Sequence, residues 1–125
     1  MTVPMFDAVR QYALLKDEVA DALRRVLESG RFILGNETKA FEAAFAAYID
    51  CAEGIAVNSG TDALKIALAA LSVGEGDEVI TVANTAVPTV SAIRERRATP
   101  VFVDIDRYFG LDPEKLEEKI TPKTR

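Results

Sequence analysis

From residue 54 onward the chain alternates between short apolar runs and longer helix-patterned stretches, and this rhythm limits the fold more than any other feature. Runs at 54–57, 77–82 and 99–104 read as strands, and the intervening 61–72 and 87–97 read as helices. Gly74 and Gly76 separate the first of these helices from the next strand. Strands joined by crossovers of helix length lie parallel, because a tight turn can only reverse the chain. The expected fold class is α/β, a largely parallel sheet with flanking helices.

Before this alternation lie two helix patterns. The first ~30 residues carry apolar positions at Leu15, Val19, Leu23, Val26 and Leu27, the spacing of an amphipathic helix. Gly30 is placed to end it as a left-handed cap. After a loop at 31–35, Asn36 is expected to cap a second helix whose stripe, Phe41, Ala44, Phe45 and Tyr48, reads as core. A last helix starts at Pro113 behind the cap Asp112 and runs to about Ile120, before Thr121-Pro122. The expected organisation is one incomplete domain over 1–125, with amino-terminal helices in 1–50 and the alternating segment in 51–125. Three strands make a small sheet, and the sequence ends where the alternation calls for another. The chain therefore reads as the first part of something longer, with a compact three-stranded domain as the alternative.

Composition narrows the chemistry. A net charge of −5 without runs of like charge argues against nucleic acid or an anionic membrane as partner. A single cysteine, Cys51, excludes an internal disulfide and suits a cytoplasmic protein. No apolar stretch approaches the roughly 20 residues that span a bilayer, and no signal-peptide pattern opens the chain. With no histidine, nucleophile–histidine pairs and the commonest zinc sites are excluded. The six lysines, Lys16, Lys39, Lys65, Lys115, Lys119 and Lys123, all stand in charged helical or terminal contexts. No complete catalytic constellation is present.

The segment 55–71 carries the chemistry. Ile55-Ala56-Val57 leads into Asn58-Ser59-Gly60-Thr61-Asp62, which opens directly into a helix. A small-residue turn at a helix start gathers free backbone N–H groups at the positive end of the helix dipole, a setting suited to a phosphate. Gly60 lets the backbone approach closely, and the hydroxyls of Ser59 and Thr61 can add hydrogen bonds. The same Ser59-x-x-Asp62 spacing also fits a capping box, which needs no ligand.

Other phosphate and metal signals are weaker. The one Gly-x-Gly, Gly74-Glu75-Gly76, precedes a strand and lacks the third glycine of a dinucleotide turn, and no Gly-Lys-Ser/Thr occurs. Asp104 and Asp106 end a strand, where two acids without a further ligand read as turn and cap residues rather than a metal site. Arg94, Arg96 and Arg97 crowd a helix end, where they offset its dipole.

Six blocks in order resemble the DegT/StrS sugar aminotransferases, pyridoxal-phosphate enzymes of the aspartate-aminotransferase fold (fold type I). They are Val3-Pro4 with Phe6-Asp7; 29–35; Phe41-Glu42; 57–64; 74–80; and 99–106. The resemblance implies the amino-terminal part of that fold's large domain. It implies pyridoxal 5′-phosphate as cofactor, with Ser59, Gly60, Thr61, Asp62 and Ala86 as cofactor-binding residues: Gly60 to Asp62 at the phosphate, and Asn84-Thr85-Ala86 beside the pyridine ring. Relatives usually carry a ring-stacking aromatic where Ala86 stands, a contact of about 0.5–1.5 kcal/mol that alanine forgoes. The loop around Phe32 implies a homodimer.

The family's Schiff-base lysine and the acid that pairs with the pyridine nitrogen belong to sequence beyond Arg125. No catalytic residue is therefore expected in this chain, and by itself it should not transaminate. The implied reaction of the whole enzyme moves an amino group from glutamate or a similar donor onto a keto-sugar nucleotide, with no metal. Two alternatives stay open at this point: a cofactor-dependent deoxysugar dehydratase, and a non-catalytic phosphate-binding or assembly module.

Overall fold

The alternating half forms the expected parallel pairing. In a computed structural model describing residues 3–125, β1 (Glu78–Val82) lies beside β2 (Thr99–Val103), with Glu78 opposite Thr99 and Val82 opposite Val103. Helix α4 (Val87–Glu95) makes the crossover between them. The other edge of β1 is also engaged: the Glu78 N–H donates to Lys123 O at 2.9 Å, and Arg125 N–H donates to Glu78 O at 3.0 Å. Residues 123–125 thus run parallel to β1 on the side away from β2.

The chain divides into two compact units, the first reaching to Ala56 and the second running from Val57 to Arg125. The core of the second unit is small and apolar. Val73 and Ile93 are 1% and 2% exposed, Ala98 is fully covered, and Leu68 and Val79 pack against them. Helix α3 (Gly60–Ala70) contributes Leu68, α4 contributes Ile93, and β1 contributes Val79, so helices and strand share one apolar seam. The Arg96 guanidinium donates to Val73 O at 3.1 Å, tying the turn after α3 to the end of α4.

In the first unit, α1 (Ala8–Ser29) begins behind Asp7, whose carboxylate accepts from Arg10 N–H, and ends at Gly30 in the left-handed conformation (φ 64°). Helix α2 spans Asn36–Ile49. Asp112 caps α5 (Pro113–Leu116), which tightens into a 3₁₀ turn at Glu117–Lys119. Among the described residues no helix is long and apolar enough to cross a membrane.

Three local expectations are corrected. Residues 54–57 are extended but belong to no strand, because the Ala56 N–H is taken by the Glu42 carboxylate at 2.8 Å instead of a neighbouring strand. Asn36 is the first residue of α2, not its cap; Gly35 holds the cap position and offers no side-chain acceptor. The aromatic stripe of α2 is not core here: Phe41 and Phe45 stack on each other with centroids 5.5 Å apart, and both remain exposed, as does Tyr48.

Candidate functional site

The turn before α3 is built by its own side chains. Ser59 is the cap, in extended backbone (φ −158°, ψ 162°), and its hydroxyl oxygen accepts from Asp62 N–H at 3.1 Å. The Ala63 N–H closes the first helical bond to Ser59 O at 3.0 Å. Two donors of the first turn stay uncommitted: among the described residues, the N–H groups of Gly60 and Thr61 have no acceptor. They stand at the positive end of the helix dipole.

Space is available there. A methyl added at Gly60 would meet nothing within 4 Å, and Ser59 and Gly60 are exposed while Thr61 is half-buried. Two unpaired amides, open ground over a glycine and the neighbouring Thr61 hydroxyl form a donor set that fits a phosphate monoester.

Asp62 puts a carboxylate beside that ground, and the structure accounts for both of its oxygens. Oδ2 accepts from the Asn58 side-chain amide at 3.2 Å and from the Ser59 hydroxyl at 3.0 Å. Oδ1 faces Lys65 Nζ at 3.8 Å, and that ammonium is itself anchored on Glu95 of α4 at 2.8 Å. The Asn58 amide, with smaller help from Ser59 and Lys65, holds the Asp62 carboxyl below the usual aspartate range against partial desolvation. The hydrogen bond to Glu95 holds the Lys65 ammonium above the usual lysine range.

Of the five residues singled out in the sequence, Ser59, Gly60, Thr61 and Asp62 form this one turn. Ala86 lies elsewhere in the second unit, as the exposed cap of α4 (φ −69°, ψ 144°), and presents no ring and no side-chain capping bond. Beside it Thr85 and Thr89 share a hydroxyl–hydroxyl bond of 3.0 Å. Asn58, Lys65 and Glu95 were not singled out. Lys65 had a local signal, three residues beyond Asp62 on one helix face, whereas Glu95 meets it only through packing of α3 on α4.

The two acids after β2 have structural duties. Asp104 pairs with Lys115 at 3.2 Å, and Asp106 closes a turn by accepting from the N–H groups of Tyr108 and Gly110 at 2.8 and 3.0 Å. In the first unit a cavity of about 180 Å³ lies where α2 begins, lined among others by Arg25, Arg31, Phe32 and Asn36. Its Arg25 is committed to Glu37 at 2.8 Å.

Comparison with known proteins identifies what the chain is similar to. The sequence model of the DegT/DnrJ/EryC1/StrS aminotransferase family matches residues 14–125. A pleiotropic regulatory protein of Geobacillus stearothermophilus is 48% identical over 100% of this chain and 34% of its own length. A UDP-N-acetyl-3-dehydro-alpha-D-glucosamine 3-aminotransferase of Acidithiobacillus ferrooxidans is 42% identical over 98% of this chain and 34% of its own. Among solved structures, S. venezuelae DesV in complex with a ketimine intermediate superposes with a TM-score of 0.93 at 44% identity, covering 98% of this chain and 33% of that one. The chain thus spans about a third of the length of the curated relatives it matches.

Proposed function

The chain belongs to the DegT/DnrJ/EryC1/StrS aminotransferase family, and from that premise we propose that it supplies the cofactor-phosphate part of an aminotransferase acting on a keto-sugar nucleotide. The cofactor of the family is pyridoxal 5′-phosphate. The observation that carries the reading is the pair of unpaired amides, Gly60 and Thr61, opening α3 beneath free space. The relative from Acidithiobacillus, an aminotransferase of a UDP-linked dehydro sugar, supports the substrate class.

In this reading Gly60 N–H, Thr61 N–H and the Thr61 hydroxyl would hold the phosphate and so orient the cofactor. The bound cofactor supplies an electron sink and a carbonyl that can carry an amino group from donor to acceptor. Ala86 would bring no aromatic ring of its own to stack on the cofactor, so more of the binding free energy would fall on the phosphate grip. Asp62 stays outside the grip, turned onto Asn58 and Ser59.

These residues bind and orient; they do not provide the amine that carries the cofactor. Lys65 and Lys115 are engaged in ion pairs with Glu95 and Asp104, and the resemblance assigns the Schiff-base role to none of the six lysines present. The 125 residues alone are accordingly proposed to be inactive. The exposed apolar loop at Phe32, Ile33 and Leu34 suits an interface with a second copy, and glutamate is the proposed amino donor. The exposed free thiol of Cys51 accords with a cytoplasmic setting.

The test uses the full natural polypeptide. It should take up pyridoxal phosphate with a new visible absorbance, aminate a nucleotide-linked keto-sugar from glutamate, and sediment as a dimer. Thr61→Val should weaken cofactor binding about ten- to a hundredfold, the loss of one hydrogen bond to a charged group. Absence of cofactor uptake, or an affinity untouched by Thr61→Val, would overturn the assignment.

A further inference from the structure

A carboxylate beside a phosphate site is a liability, since like charges a few ångströms apart repel. At this turn the carboxylate is restrained from three sides. The hydroxyl of Ser59 has one proton, and that proton goes to Asp62 Oδ2, since an ionised carboxylate can only accept. The Ser59 oxygen simultaneously accepts from Asp62 N–H. The Asn58 amide holds the same Oδ2, and Lys65, fixed by Glu95 from the neighbouring helix, faces Oδ1.

We propose that Asn58, Lys65 and Glu95 are positioning residues that keep the Asp62 carboxylate folded onto Ser59, so that within this turn the phosphate meets only Gly60 and Thr61. The inference rests on the cofactor reading above and revises the sequence expectation that the Ser59 hydroxyl adds a bond to the phosphate. Ser59 gives nothing to the phosphate, because its only hydroxyl proton is already placed. Freed from Asn58 and Lys65, the carboxylate can turn toward Gly60, where an added methyl would meet nothing within 4 Å.

The test compares pyridoxal phosphate with pyridoxal, which has the same ring and lacks the phosphate, on the full natural polypeptide. In the paired variant Asn58→Ala with Lys65→Gln, the preference for the phosphorylated form should fall about three- to tenfold, given partial solvent screening. Adding Asp62→Asn should restore it, and Lys65→Arg alone should leave it intact. The milder Glu95→Gln, half-exposed and able to keep its packing, should lower the preference about twofold. A disturbed fold would weaken both ligands alike, whereas displacement of the carboxylate weakens only the phosphorylated one. If both fall equally, or if Asp62→Asn does not restore the preference, this inference is wrong while the cofactor reading stands. If the unaltered protein binds pyridoxal as tightly as its phosphate, the cofactor-phosphate assignment fails and takes this inference with it.

Discussion

Glu42 Oε1 accepts the Ala56 N–H at 2.8 Å, in a partly buried bond that spans 14 residues and pins the extended segment after α2 back onto that helix. A peptide N–H that would otherwise extend a strand ladder is satisfied by a side chain. Glu42→Ala should therefore cost about 1–2 kcal/mol in urea denaturation and accelerate hydrogen exchange at Ala56, while Glu42→Gln, which keeps an acceptor, should cost less. An exchange rate at Ala56 indifferent to Glu42→Ala would contradict this role.

Gly54 and Gly60 should respond oppositely to alanine. A methyl at Gly54 would come within 2.5 Å of the Glu42 carbonyl oxygen in α2, so that backbone must shift. Gly54→Ala should destabilise the protein by about 1–3 kcal/mol. Gly60→Ala meets open space and should change stability by no more than about 0.5 kcal/mol. Equal midpoints for the two variants would refute the packing difference.

Acid titration should reveal the Asp62 restraint. A carboxyl lowered in the folded state binds fewer protons there than in the unfolded chain. It therefore supports folding above its unfolded value, and the support is lost as pH falls through the lowered one. Lys65, raised chiefly by Glu95, acts in mirror image: its support is complete below the ordinary lysine value and is lost as pH rises through the raised one. Together they give a plateau across neutral pH. In NMR titration, Asn58→Ala should move the Asp62 midpoint up toward the ordinary aspartate value, and by more than Lys65→Gln does. A midpoint that stays put in Asn58→Ala would discredit the amide as the main cause.

Ile93 sits where α4 meets the core, 2% exposed between Val73 and Ala98. Ile93→Val should cost about 0.5–1.5 kcal/mol and Ile93→Ala about 2–5 kcal/mol, the second leaving a void that the small cluster fills poorly. Comparable losses for both, measured by chemical denaturation, would show that the cluster collapses freely around the deleted atoms.

Much of the fold follows from local chemistry. Gly30 ends α1 because a left-handed residue costs glycine nothing, and Ser59 and Asp112 cap helices because their short side-chain oxygens reach amides within the first turn. The parallel pairing of β1 with β2 follows from the helix-length crossover. The comparisons bear out the family read from six ordered blocks. The cap at Ser59 was equally legible, since its hydroxyl reaches an amide three residues on.

What was not legible depends on partners distant in sequence. A pattern of Gly-Ile-Ala-Val suits a strand, but a strand needs a neighbour's ladder, and here Glu42 takes the Ala56 amide first. Phe41, Phe45 and Tyr48 have core spacing, yet periodicity states only which side chains share a face, not what covers that face. Glu95 becomes part of the site because two helices pack side by side, an arrangement that no spacing within either one encodes. Sequence alone determined the helices, the β1–β2 pair and the small-residue turn, because those obey forces acting within a few residues. Tertiary structure alone decided what anchors Lys65 beside Asp62 and which apolar stripes are covered, because both depend on groups brought near by packing.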